Sequence, residues 1–504
     1  MMDFYDYLNK NNLQGFLSSV DFTIPQFSHL PDVRQVIVNG IKDEKRFYIY
    51  GDYDVDGLMC IRSLVSIFDK LEYENYSVFE YRKRTHQLDK IAPHKCLQSG
   101  ADIFIIADTG SSAADKGALD SLVAAGVEVV VLDHHDSDFK YADYDRDGIH
   151  IINTILENEL GADYDLSAGA LSFCVAAAVL QEFGIAYEDL SCYALTSLYS
   201  DCMNMGNELN RAIYHLAKRQ KVPTDLLYFM NSYNKFNSRY IEYWFSPRVN
   251  ALFRSENLYV INKLFINRPD NPTVLSSTLE LADSIYLSVR ELVASVCDVL
   301  SIEQYDNFVV ADLGSVDENY SVLKNKLWNY TGLVASKQSD RYQKAAIVYC
   351  TNGEYYNGSF RDVFSREYLH VFKSFCNAGG HGAAFGLTME FQELPGFLQW
   401  VSTLDNVSKN LVAGNQPVII DYVLNDPDIP LIQDMATYNE FAGKGVPLVF
   451  IRKQVIGSMR TSNTRYGAKS FWGTIRISGN EPLPFGETVL FKPFWASNLK
   501  LERK

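Results

Sequence analysis

The sequence contains no run of about 18 apolar residues, so nothing in it reads as a membrane-spanning helix. It also lacks a positive surplus: 46 Lys and Arg stand against 62 Asp and Glu, for a net charge of −16. That balance argues against a protein that coats nucleic acid indiscriminately, because sequence-independent binding neutralises phosphates with Lys and Arg. Any polyanion must meet a local basic surface or metal ions. The eight cysteines include no CxxC pair, and several, such as Cys60 and Cys174, lie in apolar stretches where a free thiol packs as a small hydrophobe. This predicts a reducing, cytoplasmic setting. No segment is both highly charged and poor in aromatics, so no long disordered region is expected. The opening MMDFYDYLNKNNLQ has polar and charged residues within its first ten positions, which predicts neither a signal peptide nor an anchor.

What is present is a 504-residue chain with 47% hydrophobic residues, enough for roughly three domains. Residues 1–45 read as a helical lead-in on the first domain. From Arg46 the pattern alternates: FYIY as strand, Leu58 to Leu71 as helix, YSVFEY as strand, ADIFIIADTG as strand and loop, a helix near Asp115 to Ala125, then VEVVVLDHHDSD. Such alternation predicts an α/β fold with a parallel sheet covered by helices on both faces. Pro269 and Pro272 precede a run of apolar residues at helical spacing from Leu275 to Val299, a long connecting helix. The strand FVVADLG opens a second α/β domain, and from about Gln416 short β-rich runs take over.

The chemistry-bearing residues collect where the first strands stop. YIYGDYDVDG ends an apolar run in Asp52, Asp54 and Asp56, and clustered hard oxygens suit Mg²⁺ or Mn²⁺. Alone, that stretch reads equally well as an acidic turn exposed to water, and a lone DHH triplet as a turn of hydrogen-bonded histidines. In open parallel sheets, however, ligands bind beyond the carboxyl ends of the strands. Asp54 and Asp56, Asp108, and Asp133, His134 and His135 follow three such strands. Three loops are thus expected to converge on one crevice.

GDYDVDG, ADTG and LDHH, in this order and spacing, resemble the first three motifs of the DHH-superfamily phosphoesterases, and specifically the RecJ-type single-strand exonuclease branch. A fourth family motif supplies an aspartate from a helix end, which ALTSLYSDCMNMGNELNR offers as Asp201. The resemblance implies two divalent metal ions, Mn²⁺ or Mg²⁺, bridged by Asp108, with Asp54 on one and Asp56, His134 and Asp201 on the other. His135 would face the substrate, with Asp52 and Asp133 orienting the ligands. The Leu166 to Leu180 helix, LSAGALSFCVAAAVL, receives no chemistry.

FSPRVNALFR resembles the family's PRINAAGR motif and keeps Arg248, Asn250 and Arg254, with Leu252 and Phe253 in place of small residues. Guanidinium and amide groups suit phosphate contacts, although an Arg/Asn network bracing the domain explains them too. Arg84, in a basic cluster with Arg82 and Lys83, occupies the place of a family arginine near the substrate's end. GSFR and GGHGAAFG resemble the DHH-associated domain's GSxRS and GGHxxAAG, which implies substrate binding by Ser359, Arg361, Gly379, Gly380 and His381, with Ser359 and Arg361 on a 5′ phosphate. Phe385 is expected to narrow the space near this site and Asp362 to weaken its affinity for anions. EFAGKGVP is similar to the stretch that opens the oligonucleotide-binding (OB-like) barrel of RecJ-type enzymes. Beyond it, Arg452 to Arg476 contains no acidic residue and interleaves Arg460, Arg465, Tyr466, Lys469 and Trp472. Cationic side chains alternating with aromatic platforms suit sequence-tolerant single-strand binding.

The implied domains are a lead-in at 1–45, the DHH domain at 46–268, a connecting helix at 269–305, the DHH-associated domain at 306–412 and an OB-like β-barrel at 413–504. The implied activity is 5′ to 3′ exonucleolysis of single-stranded DNA to mononucleotides. Two competitors remain: a phosphodiesterase of short oligoribonucleotides or cyclic nucleotides, and a catalytically silent replication scaffold. Expected partners are single-stranded DNA, with RNA oligonucleotides and replication or repair proteins as further candidates, and the chain is expected to act as a monomer away from membranes.

Overall fold

The computed structural model describes residues 4–503 except 12, 83–87, 89–90, 137–146, 231–234, 317–326, 352, 354, 365, 382, 405–417, 422–426, 443–445, 455–458, 465–466, 473–474, 479–482, 484–487 and 496–498. The chain divides into two units. One comprises residues 1–80, 85–247 and 417–504, and the other residues 81–84 and 248–416. Among the described residues no helix is long and apolar enough to cross a membrane.

The first unit is built on a five-stranded sheet of β1 (Phe47–Gly51), β2 (Tyr76–Val78), β3 (Ile103–Ala107), β4 (Glu128–Asp133) and β5 (Ile149–Asn153). All pairs are parallel, in the order β2-β1-β3-β4-β5. Strands covered on both faces need no polar alternation, which is why β1 and β3 read as FYIYG and IFIIA and are buried throughout. The order reverses between β1 and β3, so a crevice opens at their carboxyl ends. Helix α1 (Val55–Lys70) packs against α2 (Ala168–Glu182) and α3 (Ser191–Ser200). A buried ion pair, Arg62 Nε to Asp225 Oδ2 at 2.8 Å, ties α1 down, and Tyr193 Oη donates to the other Asp225 oxygen at 3.1 Å. Breaking such a pair leaves a buried charge uncompensated, so these three residues hold the helix next to the GDYDVDG loop.

The C-terminal β-rich segment belongs to the same unit. Its strands β12 (Val418–Asp421), β13 (Val449–Gln454), β14 (Met459–Thr464), β15 (Gly467–Trp472), β16 (Ile475–Ser478), β17 (Thr488–Trp495) and β18 (Leu499–Arg503) form a seven-stranded mixed sheet in the order β12-β13-β17-β18-β16-β15-β14. The N-terminal lead-in reaches this segment, with Phe4 and Phe16 packing on Tyr438 at 5.8 and 5.5 Å and Phe16 on Phe441 at 5.6 Å. Tyr199 of α3 donates to Glu440 O at 2.7 Å, and Arg239 pairs with Glu502 at 3.3 Å.

The second unit contains helix α4 (Pro272–Val299), helix α5 (Thr331–Tyr342) and a six-stranded sheet of β6 (Glu303–Gln304), β7 (Phe308–Asp312), β8 (Ala345–Thr351), β9 (Tyr356–Arg361), β10 (Asn377–His381) and β11 (Ala384–Met389), in the order β10-β11-β9-β8-β7-β6. The boundary between units falls at Pro247/Arg248, earlier than residue 268, because the PRVNALFR helix packs with α4 and the second sheet. Ala251 joins the core of Val289, Val293 and Val296, and Phe253 lies edge-on to Tyr81 at 5.1 Å. The bulky Leu252 and Phe253 are both buried.

Candidate metal centre

The loop after β1 doubles back tightly. A Cβ on Gly51 would stand 2.2 Å from Gly57 O, and one on Gly57 would stand 2.4 Å from Asp52 N, so both positions exclude any side chain. That turn lets Asp54 cap α1, accepting from Gly57 N at 3.1 Å, and carries Asp56 into the first helical turn. At the end of β3 the backbone turns left-handed at Asp108, φ 64°, a conformation aspartate tolerates better than most residues. At the end of β4 lies Asp133, followed by the two histidines. Asp201 caps the C-terminus of α3.

These elements bring five residues together in two overlapping groups, Asp56, His134 and Asp201, and Asp108, His134 and His135. His134 Nε2 stands 3.6 Å from Asp56 Oδ2, 3.4 Å from Asp108 Oδ1 and 3.6 Å from Asp201 Oδ2. Asp56 and Asp108 are each only 2% exposed. Burial, together with the neighbouring carboxylates, pushes both their pKa values well above the usual range, Asp201 and Asp54 acting on Asp56, and Asp56, Asp54 and Asp52 on Asp108. Asp108 Oδ1 accepts no hydrogen bond from the described residues. Buried carboxylates that raise one another's pKa beside an imidazole, with one oxygen unsatisfied, are a donor set suited to divalent cations. The centre could therefore hold metal ions.

The shifts fix a pH dependence. An acid whose folded pKa is raised stabilises the fold below its unfolded value, about 3.9 for Asp, and loses that contribution as pH rises through the folded value. In EDTA, melting should therefore occur at higher temperature at pH 6 than at pH 8. Mn²⁺ should raise the melting temperature more at pH 8, where fewer protons compete with the ions. Equal Mn²⁺-induced shifts at the two pH values would show that Asp56 and Asp108 do not meet the ion.

His135 is oriented separately. Its Nδ1 lies 2.8 Å from Asp133 Oδ1, and that same oxygen accepts from the backbone N–H of His134 and His135 at 2.8 and 3.2 Å. Burial lowers the His135 pKa, but the Asp133 carboxylate outweighs it and pushes the pKa up to about 10. Asp133 Oδ2 accepts from Ser111 N and Oγ at 3.2 and 2.6 Å, and Asn153 Nδ2 donates to Ser111 Oγ at 2.9 Å and to His135 O at 3.0 Å. Nothing in the sequence marks Ser111 as a partner of the centre. The one signal for Asn153 is a polar residue ending the apolar strand IHIIN, where its side chain also caps the next helix.

In the second unit Ser359 and Arg361 lie on β9 (Tyr356–Arg361), over the first turn of α5. Ser359 Oγ is 2.9 Å from Thr331 Oγ1, and a Cβ on Gly332 would stand 2.9 Å from Arg361 Nη2. Gly379 pairs with Gly386, which pairs with Ser359, so an open strip of glycine backbone flanks the serine. Gly380 has φ 133°, and a Cβ there would meet Phe385 Cα at 2.9 Å. The His381 backbone pairs with Ala384, while its side chain lies outside the described residues.

Several expectations change. Phe385 does not narrow this site: it is buried and stacks on Phe360 at 4.6 Å. Asp362 does not repel anions, because Arg366 binds it with two hydrogen bonds of 2.8 and 3.1 Å. Arg248 pairs with Asp283 at 2.5 Å and lies over the Tyr286 ring at 4.6 Å, contacts that brace its helix onto α4. Asn250 and Arg254 are half-buried on the same helix. Trp472 is fully buried, so it packs the C-terminal core and offers no stacking face, and Lys453 is buried too. Arg84, Arg465 and Tyr466 lie outside the described residues, as do the side chains of Arg460 and Lys469.

Residues 46–206 match the DHH family, N-terminal domain. Over 470 residues the chain is 23% identical to the single-stranded-DNA-specific exonuclease RecJ of Bacillus subtilis (strain 168), an alignment covering 87% of this chain and 56% of that protein. The chain thus spans about half the length of this curated relative. Its fold is similar to that of RecJ from Thermus thermophilus in complex with Mn²⁺, with a TM-score of 0.69 and 16% identity over 98% of this chain and 74% of that one. The same protein in complex with Mg²⁺ gives a TM-score of 0.64 at 15% identity, over 98% and 72% of the two chains.

Proposed function

For a chain that carries a DHH family N-terminal domain at residues 46–206, we propose metal-dependent hydrolysis of phosphodiester bonds, as a 5′ to 3′ exonuclease on single-stranded DNA. The observation that carries the reading is the pair of overlapping groups sharing His134. Asp54, Asp56, Asp108, His134 and Asp201 would hold two divalent ions, Mn²⁺ or Mg²⁺. Bound there, such ions supply an acidified water and stabilise charge on phosphoryl oxygens. His135 keeps Nδ1 on Asp133, so Nε2–H remains to donate to a phosphate oxygen. Ser359, Arg361 and the first amides of α5 are the groups we assign to the terminal 5′ phosphate, with Gly379 and Gly380 letting the strand approach the backbone. Exposed Arg452 and Arg476 of the C-terminal sheet offer phosphate contacts along the strand.

The test is digestion of an oligonucleotide labelled at either end, with Mn²⁺ or EDTA, using Asp56→Ala as control. Mononucleotides released from the 5′ end, only with metal and not by the variant, are the expected result. Dinucleotides hydrolysed while long strands stay intact would replace this reading with a phosphodiesterase of short oligoribonucleotides. No Mn²⁺ binding at all would leave a scaffold.

A further inference from the structure

The α2 helix, given no chemistry from its sequence, begins against a metal-centre carboxylate. Its first amides, Ala168 N and Gly169 N, donate to Asp56 Oδ2 and Oδ1 at 2.9 and 2.8 Å. Ser197 of α3 donates its Oγ to Asp56 Oδ1 and shares a hydrogen bond with Ser167 Oγ, the N-cap of α2. The carbonyl of Ser197 meanwhile accepts from Asp201 N at 3.0 Å, the bond that closes α3 and sets where Asp201 begins. One fully buried serine therefore touches the Asp56 carboxylate through its hydroxyl and holds the backbone N–H of Asp201, the residue carrying the group's other carboxylate, through its carbonyl. The fit is close, since a Cβ on Gly169 would stand 2.6 Å from Ser197 Oγ and 2.9 Å from Asp56 Oδ1.

We propose that Ser197 is a positioning residue for one of the two ions: it holds Asp56 and Asp201 in register, and so sets affinity at the Asp56, His134 and Asp201 group without setting it at the Asp108 group. The proposal rests on the two-ion reading above. Its physical basis is that a ligating carboxylate free to rotate gives up affinity, and partners that fix ligand orientation typically govern about 10- to 100-fold in metal binding. The α2 amides act on the Asp56 carboxylate alone, whereas Ser197 bonds both Asp56 and the backbone of Asp201. Asp108 and His135 touch neither Ser197 nor α2 through any hydrogen bond of the described residues.

The experiment is Mn²⁺ titration of the full chain by calorimetry, with electron paramagnetic resonance to distinguish a spin-coupled pair of ions from isolated ones. Wild type should bind two ions and show the coupled signal. Ser197→Ala should bind one ion as wild type does and the second at least tenfold more weakly, with isolated Mn²⁺ at intermediate loading. Ser197→Cys, which keeps a weaker S–H donor at the γ position, should recover part of the loss, and remains informative if the alanine variant does not fold. Ser200→Ala removes a hydrogen bond of 2.9 Å to the same carbonyl without touching Asp56, and should behave as wild type. Two unchanged affinities in Ser197→Ala, or an equal fall at both sites with a fall in melting temperature, would overturn the positioning role. Wild type that binds no Mn²⁺ would overturn the two-ion reading itself, and the inference with it.

Discussion

Replacing Asp108 with asparagine should abolish the proposed metal-dependent activity, by a thousandfold or more at saturating Mn²⁺, while making the metal-free protein more stable. The backbone at this position is left-handed, and asparagine adopts that conformation as readily as aspartate, so the turn after β3 and the bond from Asp108 N to Leu132 O survive. What the variant loses is charge. Asp108 is buried, its Oδ1 is 3.4 Å from His134 Nε2, and its pKa is raised by burial and by Asp56, Asp54, Asp52 and Asp201. Without a cation, ionising it is unfavourable, so the neutral amide relieves repulsion and the melting temperature in EDTA should rise at pH 8. With cations the sign reverses, because a buried carboxylate contributes several kcal/mol to holding a divalent ion, and about 4 kcal/mol corresponds to about a thousandfold in rate. Activity and two melting curves, with and without Mn²⁺, check both halves. A variant within tenfold of wild type, or one that Mn²⁺ still stabilises as strongly, would remove Asp108 from the centre.

The legibility of this centre in the sequence depends on which residues break a local rule. Asp54, Asp56, Asp108 and His134 stand out because charge directly after an apolar parallel strand has no packing explanation, and the strands themselves are plain as continuous apolar runs. Asp201 is different: a carboxylate at a helix end is common, and only the family resemblance selected it. Ser197, Gly169 and Asn153 were invisible for a further reason. Small polar residues inside apolar helices and at strand ends occur everywhere as caps and packing contacts, and their importance lies in a partner far away in the chain, such as Asp56, 141 positions from Ser197. Arg248 and Trp472 are ambiguous in the other direction. A guanidinium or an indole can serve a ligand or the fold, and sequence alone does not record that Asp283 and Tyr286 occupy the first and the C-terminal core the second.

Asp133→Asn, unlike Asp108→Asn, should damage both stability and activity. Both oxygens of Asp133 act purely as acceptors, one for His134 N, His135 N and His135 Nδ1, the other for Ser111 N and Oγ. An amide must turn its NH₂ toward one of these sets, donor against donor, leaving buried N–H groups unsatisfied at about 1–3 kcal/mol each, so a loss of about 3–5 kcal/mol is expected at pH 7. Burial acts to raise the Asp133 pKa, but His135 and Ser111 outweigh it and hold the carboxylate well below its ordinary range. A depressed folded pKa contributes stability above the unfolded value, about 3.9, and loses it as pH falls through the folded value. The stability gap between wild type and variant in EDTA should therefore be widest between about pH 5 and about pH 6.5, shrink below about pH 4 as Asp133 gains a proton, and narrow as pH rises toward 8, where the stabilisation of the His135 imidazolium is progressively lost. Activity should fall about a thousandfold in kcat with little change in KM, since His135 loses both its orientation and the carboxylate that keeps Nδ1 protonated. Urea unfolding at pH 7 and pH 3.5, with steady-state kinetics on the same preparations, measures all three. A stability gap that does not narrow in acid would mean that the Asp133 charge is not what holds His135, and activity lost at unchanged stability would mean that the carboxylate meets the reaction directly.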